Sequence, residues 1–256
     1  MKVRILGCGT STGVPVIGCT CSTCLSTHPG NKRTRSSIAL ELSEKTILID
    51  TSTDLRAQAL KSKLTQVNAV LYTHYHADHL HGIDDLRSYN RIQDEETIPC
   101  YGDKSTIDRI RHSFEYIFAT SGSKNKGGWK PNLSTSVIDG PFTLFNKEII
   151  PIKIEHGPGT ILGYRVDDFA YLTDCSGIPQ ESLELLKGTK VVIIGALRQR
   201  PHPSHFSIDQ AIEASKKIGA ERTILTHLGH AVDYEKVSPT LPAGVELAMD
   251  SMLVEL

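Results

Sequence analysis

The chain has 256 residues, 39% of them hydrophobic and 22% charged, with 28 Lys and Arg against 29 Asp and Glu. These values exclude a disordered or fibrous protein and leave no basic excess of the kind nucleic-acid binders carry. No apolar run is long enough to span a bilayer, and the first residues make a poor signal peptide, so a cytoplasmic protein without membrane contact is expected.

Taken in chain order, residues 2–6 read as a strand, followed by a glycine-rich turn at 7–13. That turn has the wrong spacing for a dinucleotide loop, and Val14-Pro15-Val16 does not open the helix such a loop requires. Short runs rich in Val, Ile and Leu predict buried strands over 37–42, 46–49, 69–72, 148–154, 170–172, 191–194 and 222–225. Between them, helix-period segments fall at 54–63, 80–92, 105–118, 180–187 and 208–218. The last is the clearest, with Ser207 and Gln210 spaced as a capping box and Gly219 as its stop. Strands and helices mixed throughout predict layered α/β architecture, one domain over 1–256. The segment 120–132, rich in Gly, Ser and Lys and holding the single tryptophan, reads as a surface loop or as a mobile lid beside a site.

The polar residues that follow these strands carry the chemistry. Directly after 69–72 comes Thr73-His74-Tyr75-His76-Ala77-Asp78-His79. In extended backbone, residues two apart share a face, so His74 and His76 can grip one ion. If the chain then turns into a helix, Asp78 and His79 face back across the same pocket. His156, Asp174 and His227 each follow a predicted strand, as does Asp50. Ligands at the ends of successive strands converge on one sheet edge. Seven of them, His74, His76, Asp78, His79, His156, Asp174 and His227, are too many for one zinc and suit two ions sharing a carboxylate.

A second cluster is Cys19-Thr-Cys21-Ser-Thr-Cys24. Clustered thiols outside a disulfide framework point to metal, and three of them suit a tetrahedral structural zinc that needs one more ligand. His28, Cys8 and His230 are the candidates. A third feature is Arg198-Gln-Arg200-Pro-His202-Pro-Ser-His205-Phe-Ser207, which enters the capped helix. Its backbone N–H groups and the helix dipole favour phosphate. His202 reads as a proline-flanked surface residue, and Lys32-Arg33-Thr-Arg35 as a solvated turn.

The His-x-His-x-Asp-His run with His156, Asp174 and His227 resembles the metallo-β-lactamase superfamily over essentially the whole chain. The resemblance implies an αββα four-layer sandwich. It also implies His74, His76 and His156 on one ion, Asp78, His79 and His227 on the other, and Asp174 between them. Asp50 would orient ligands. Gly18-Cys19-x-Cys21-x-x-Cys24 together with Thr226-His227-Leu-Gly-His230 resembles the PhnP-type phosphodiesterases. That likeness implies His230 as the fourth structural-zinc ligand, His205 as a contact to substrate phosphate that protonates the leaving oxygen, and a homodimer. Cys175 beside Asp174 departs from that pattern.

Two divalent ions outweigh Asp78, Asp174 and a bridging hydroxide, leaving a net positive pocket suited to an anionic ester. The expected function is therefore hydrolysis of a small phosphodiester, cyclic substrates included, with Asp78, Asp174 and His205 as the residues of the reaction. Imidazole and carboxylate accept Zn²⁺, Mn²⁺ and Fe²⁺ alike, so the active-site metal stays open. Thioester hydrolysis, a tRNase Z-like nuclease and a non-enzymatic PqqB-like protein share parts of these motifs. The balanced charge speaks against the nuclease.

Overall fold

The computed structural model describes residues 1–119 and 129–256. Most of the segment expected as a surface loop or lid, 120–132, thus lies outside the described residues.

The first sheet collects β1 (Lys2–Gly7), β2 (Ser37–Glu41), β3 (Thr46–Ile49), β4 (Ala69–Leu71), β5 (Ile98–Gly102) and β6 (Leu133–Val137). The second collects β7 (Phe142–Leu144), β8 (Lys147–His156), β9 (Gly159–Val166), β10 (Phe169–Leu172), β11 (Val191–Gly195), β12 (Arg222–Thr226) and β13 (Val245–Leu247). A last strand, β14 (Leu253–Glu255), returns to pair with β1, so both sheets have seven strands. β3 through β6 run parallel, as do β10 through β13. Parallel neighbours end on the same edge, which is why their C-terminal residues can meet.

Side-chain alternation sorts the layers. In β3, Ile47 and Ile49 face the other sheet, whereas Leu48 faces the helices outside. In the second sheet, Tyr171 and Ile193 face inward, while Leu172, Val192 and Ile194 face outward. Three apolar layers result: one between the sheets and one under helices on each outer face. This is the αββα four-layer sandwich that the sequence resemblance implies. Among the described residues, no helix is long and apolar enough to cross a membrane.

The helix Ile208–Ile218 has the expected bounds. Ser207 Oγ accepts from the Gln210 N–H, the Gln210 side chain accepts from the Ser207 N–H, and Gly219 closes it in the left-handed region. The continuous helix expected over 80–92 is not formed. Ala77–Leu80, the 3₁₀ turn Ile83–Leu86 and the helix Arg87–Ile92 replace it. Gly82 lies against Ser52 so closely that a Cβ would collide with its carbonyl oxygen, and its N–H bonds to Thr51 rather than into a helical ladder. The 105–118 helix likewise divides into Lys104–Ser113 and Glu115–Phe118, parted by the non-helical backbone of Phe114. Pattern reading also misses β5, β6, β7, β9, β13 and β14, which are short, interrupted by glycine or polar.

Candidate active site

Asp50 follows β3, Thr73 and His74 follow β4, and His156 ends β8 where the β8–β9 hairpin turns through Gly157 and Pro158. Asp174 follows β10 and His227 follows β12. Asp50, Asp174 and His227 all adopt positive φ, at 66°, 56° and 56°. In that region a strand turns sharply as it ends, a conformation that non-glycine residues adopt at a cost and that Asp and His tolerate better than most. The two sheets are tied directly beneath: the Leu162 N–H donates to the Thr73 carbonyl at 3.0 Å and the Tyr164 hydroxyl to the Tyr72 carbonyl at 2.6 Å.

The structure brings all seven predicted ligands together in two groups. His74, His76, His156 and Asp174 form one, and Asp78, His79, Asp174 and His227 the other, with ligand atoms within each group no more than 4.8 Å apart. Asp174 belongs to both. Its Oδ2 lies 3.4 Å from His74 Nε2 and 3.0 Å from His79 Nε2, and its Oδ1 lies 2.8 Å from His227 Nε2.

Those short approaches are not hydrogen bonds. Among the described residues, His79 Nε2 and both ring nitrogens of His227 are buried without an aligned partner. Nitrogen and oxygen atoms about 3 Å apart, aimed at a common point instead of at each other, have the spacing of ligands about 2.0–2.2 Å from one cation. The donor set therefore fits divalent metal.

Ring orientation is set from behind. His79 Nδ1 donates to Asp50 Oδ2 at 2.7 Å. His74 Nδ1 is 3.0 Å from Thr73 Oγ1, which donates in turn to Asp50 Oδ2 at 2.8 Å. His156 Nδ1 is 2.9 Å from the Ser204 carbonyl. In each ring the other nitrogen, Nε2, is thereby left on the pocket side. Ser204 was not legible in the sequence, because every residue offers a carbonyl and only the fold selects one.

Charge follows this geometry. Burial alone would raise the Asp174 carboxyl, yet His227 and His79 hold it well below the usual carboxylate range. Asp78 is also lowered, its burial outweighed by His79 and His227. Burial opposes charge on His227, but Asp174 overrides it and the ring is pushed up to about 9. The two carboxylates thus favour positive charge beside them.

His205 stands beside both groups, its ring 4.8 Å from His227 in a stacked arrangement and 4.9 Å from His156. Burial, with the neighbouring His227 charge, lowers it to about 3. The loop carrying it is closed by the bridge between Arg198 and Ser207. His202 departs from the surface reading: it is half-buried and its ring lies 5.2 Å from that of His205. Cys175 is buried against the Gly177 carbonyl, and burial raises its thiol.

At the thiol cluster, His230 is the candidate that arrives. Its Nδ1 lies 3.3, 3.6 and 3.7 Å from the sulfurs of Cys19, Cys21 and Cys24. The Cys24 backbone N–H and neighbouring groups hold the Cys21 thiol down to about 6, and the Val16 N–H donates to Cys24 Sγ. Cys8 instead faces Ala248 and Asp250, and His28 caps Gly30 and stacks on Tyr234. The basic run is not a solvated turn. Arg33 is buried, and Arg35 pairs with Asp54 at 3.0 Å.

This sandwich, with its ligand groups at one sheet edge, defines a metal-dependent hydrolase. A family model described as a beta-lactamase superfamily domain matches residues 45–228. A diphosphatase of the PhnP family is 37% identical, with all of this chain and 97% of the other covered and a TM-score of 0.91. The chain belongs to the metallo-β-lactamase superfamily and, within it, to the PhnP family. Zn²⁺-bound PqqB from Methylobacterium extorquens shares the fold, with a TM-score of 0.81 at 17% identity and full coverage of both chains. A curated relative named octanoyltransferase, from Porphyromonas gingivalis (strain ATCC BAA-308 / W83), is 40% identical over 234 residues, which are 90% of this chain. The chain spans about half of that relative, 46% of its length.

Proposed function

We propose that the protein is a dinuclear metal-dependent phosphodiesterase acting on a small phosphodiester, cyclic substrates included. The observation that carries this reading is the sharing of Asp174 between the two ligand groups. His74, His76 and His156 would hold one ion, Asp78, His79 and His227 the other, with Asp174 available to both. A pair of divalent cations at such a site supplies Lewis acidity toward phosphoryl oxygens and a nucleophile from water at neutral pH. Zn²⁺ and Mn²⁺ suit these ligands, as does Fe²⁺. Cys19, Cys21, Cys24 and His230 would hold a structural zinc, since three sulfurs and one nitrogen are a closed ligand set.

The chain's own residues do the rest. Asp78 and Asp174 keep the pocket from becoming so positive that it would trap its anionic product. His205 stands within reach of a phosphate placed between the ligand groups. An anionic diester beside it favours the charged ring and readies it to donate its proton to the departing oxygen. Ser204 holds His156 from the same loop, so ligand and proton donor move as a unit.

The 37% identical diphosphatase favours a second reading on this same site, cleavage of a phosphoanhydride. Octanoyl transfer is not assigned, because this chain spans only part of the relative so named. We place the protein in the cytoplasm as one domain over 1–256, with a homodimer as its assembly and no nucleic-acid partner. The deciding experiment supplies Mn²⁺ or Zn²⁺ and measures turnover of bis(p-nitrophenyl) phosphate, cyclic phosphates, diphosphate diesters and thioesters. Hydrolysis of phosphodiesters is expected. No phosphodiester turnover in fully loaded protein would overturn the reading, and selective diphosphate cleavage would establish the second.

A further inference from the structure

We propose that Arg33 is a positioning residue that sets the gap between the cysteine half and the His230 half of the thiol cluster. This rests on that cluster being a metal site.

Arg33 is only 2% exposed. A guanidinium is rarely buried away from carboxylates, and among the described residues none lies within ion-pair distance of it. Its donors go to neutral oxygens instead. Nε reaches the Gly30 carbonyl at 2.7 Å, and Nη2 reaches Asn31 Oδ1 at 3.2 Å. Nη1 reaches the Gly229 carbonyl at 3.0 Å, and Nη2 the Val232 carbonyl at 2.7 Å. Gly229 and Val232 flank His230, and the Val232 N–H closes the same turn on the Gly229 carbonyl at 3.1 Å.

The backbone of Arg33 grips the other half. Its N–H donates to the Val14 carbonyl at 2.7 Å, and the Val14 N–H donates back at 2.8 Å. Val14 begins the segment that leads to Cys19, and two residues on, Val16 donates to Cys24 Sγ. One residue therefore anchors the thiol loop through its backbone and the histidine turn through its side chain. The same turn begins two residues after His227, so the anchor also reaches the strand end that carries an active-site ligand. A planar fork with five donors can span four acceptors on two segments, whereas an ammonium is a point charge that cannot.

Arg33→Lys is the sharp variant, because it keeps the charge and removes the fork. Metal-free full-length protein is titrated with Co²⁺, following the thiolate-to-cobalt absorption, and affinity is read by chelator competition. The expected result is Co²⁺ binding weakened about 10- to 100-fold in Arg33→Lys, with an altered absorption band, the loss typical of groups that orient ligands. Unchanged affinity and band would overturn the proposal. No thiolate band in the wild type would instead overturn the metal-site reading itself. Should Arg33→Lys fail to fold, hydrogen exchange on wild-type protein decides. A Val232 amide that stays protected after metal removal supports Arg33 as the anchor, and lost protection shows that the metal builds the turn.

Discussion

Asp50 Oδ2 sits 2.7 Å from His79 Nδ1, and both side chains are fully buried. The same carboxylate accepts from the Thr73 N–H and hydroxyl, each at 2.8 Å. One side chain thereby aims His79 directly and His74 through Thr73, across both ligand groups. Burial raises the Asp50 carboxyl, and these donors counter the rise. Fully buried, it can act on the pocket only through the groups it orients.

Asp50→Asn should therefore weaken metal binding about 10- to 100-fold while leaving the fold intact. Metal content after dialysis against a weak chelator measures this. An unchanged content would show that the rings are held by their packing alone.

Asp174→Ala removes the oxygens common to both groups. The expected outcome is loss of both active-site ions, counted by elemental analysis, with the thiol cluster still loaded. Retention of one ion would mean that the two groups are independent.

His205→Ala should leave metal content unchanged and lower kcat about 10²- to 10⁴-fold, the usual range for a positioned proton donor. The loss should be greater for an alkyl ester than for a p-nitrophenyl ester, whose leaving group needs no proton. Equal losses would indicate phosphate binding as its role.

Cys21→Ser should remove the structural ion and lower Tm, because metal held by the folded chain is folding free energy. Ser207→Ala deletes only a helix cap, which costs about 1 kcal/mol. Its Tm should fall by about 2–4 °C in a chain of this size. Differential scanning calorimetry separates the two, and an equal drop would argue against a structural metal.

Several of these residues are legible in the amino-acid sequence itself. The run from His74 to His79 announces itself because extended backbone repeats every two residues, placing two imidazoles on one side. The helix Ile208–Ile218 is delimited by its own cap and its own glycine, both local effects. The continuous helix over 80–92 failed for the opposite reason. Gly82 obeys a contact with Ser52 and Thr51, residues thirty positions away. Arg33 reads as solvated in a basic run, yet it is buried by a turn some two hundred residues later.

Taken alone, the amino-acid order determined the kinds of donors present, their attachment to strand ends and the layered α/β class. These depend on local periodicity and side-chain chemistry. Local chemistry left open which carboxylate is shared and whether Cys8, His28 or His230 meets the thiols. Family resemblance pointed to Asp174 and His230, and the folded chain brings both into place and sets Ser204 behind His156. Each of those outcomes depends on segments joined by sheet pairing or by a left-handed strand end. Such long-range geometry leaves no periodic trace in neighbouring residues.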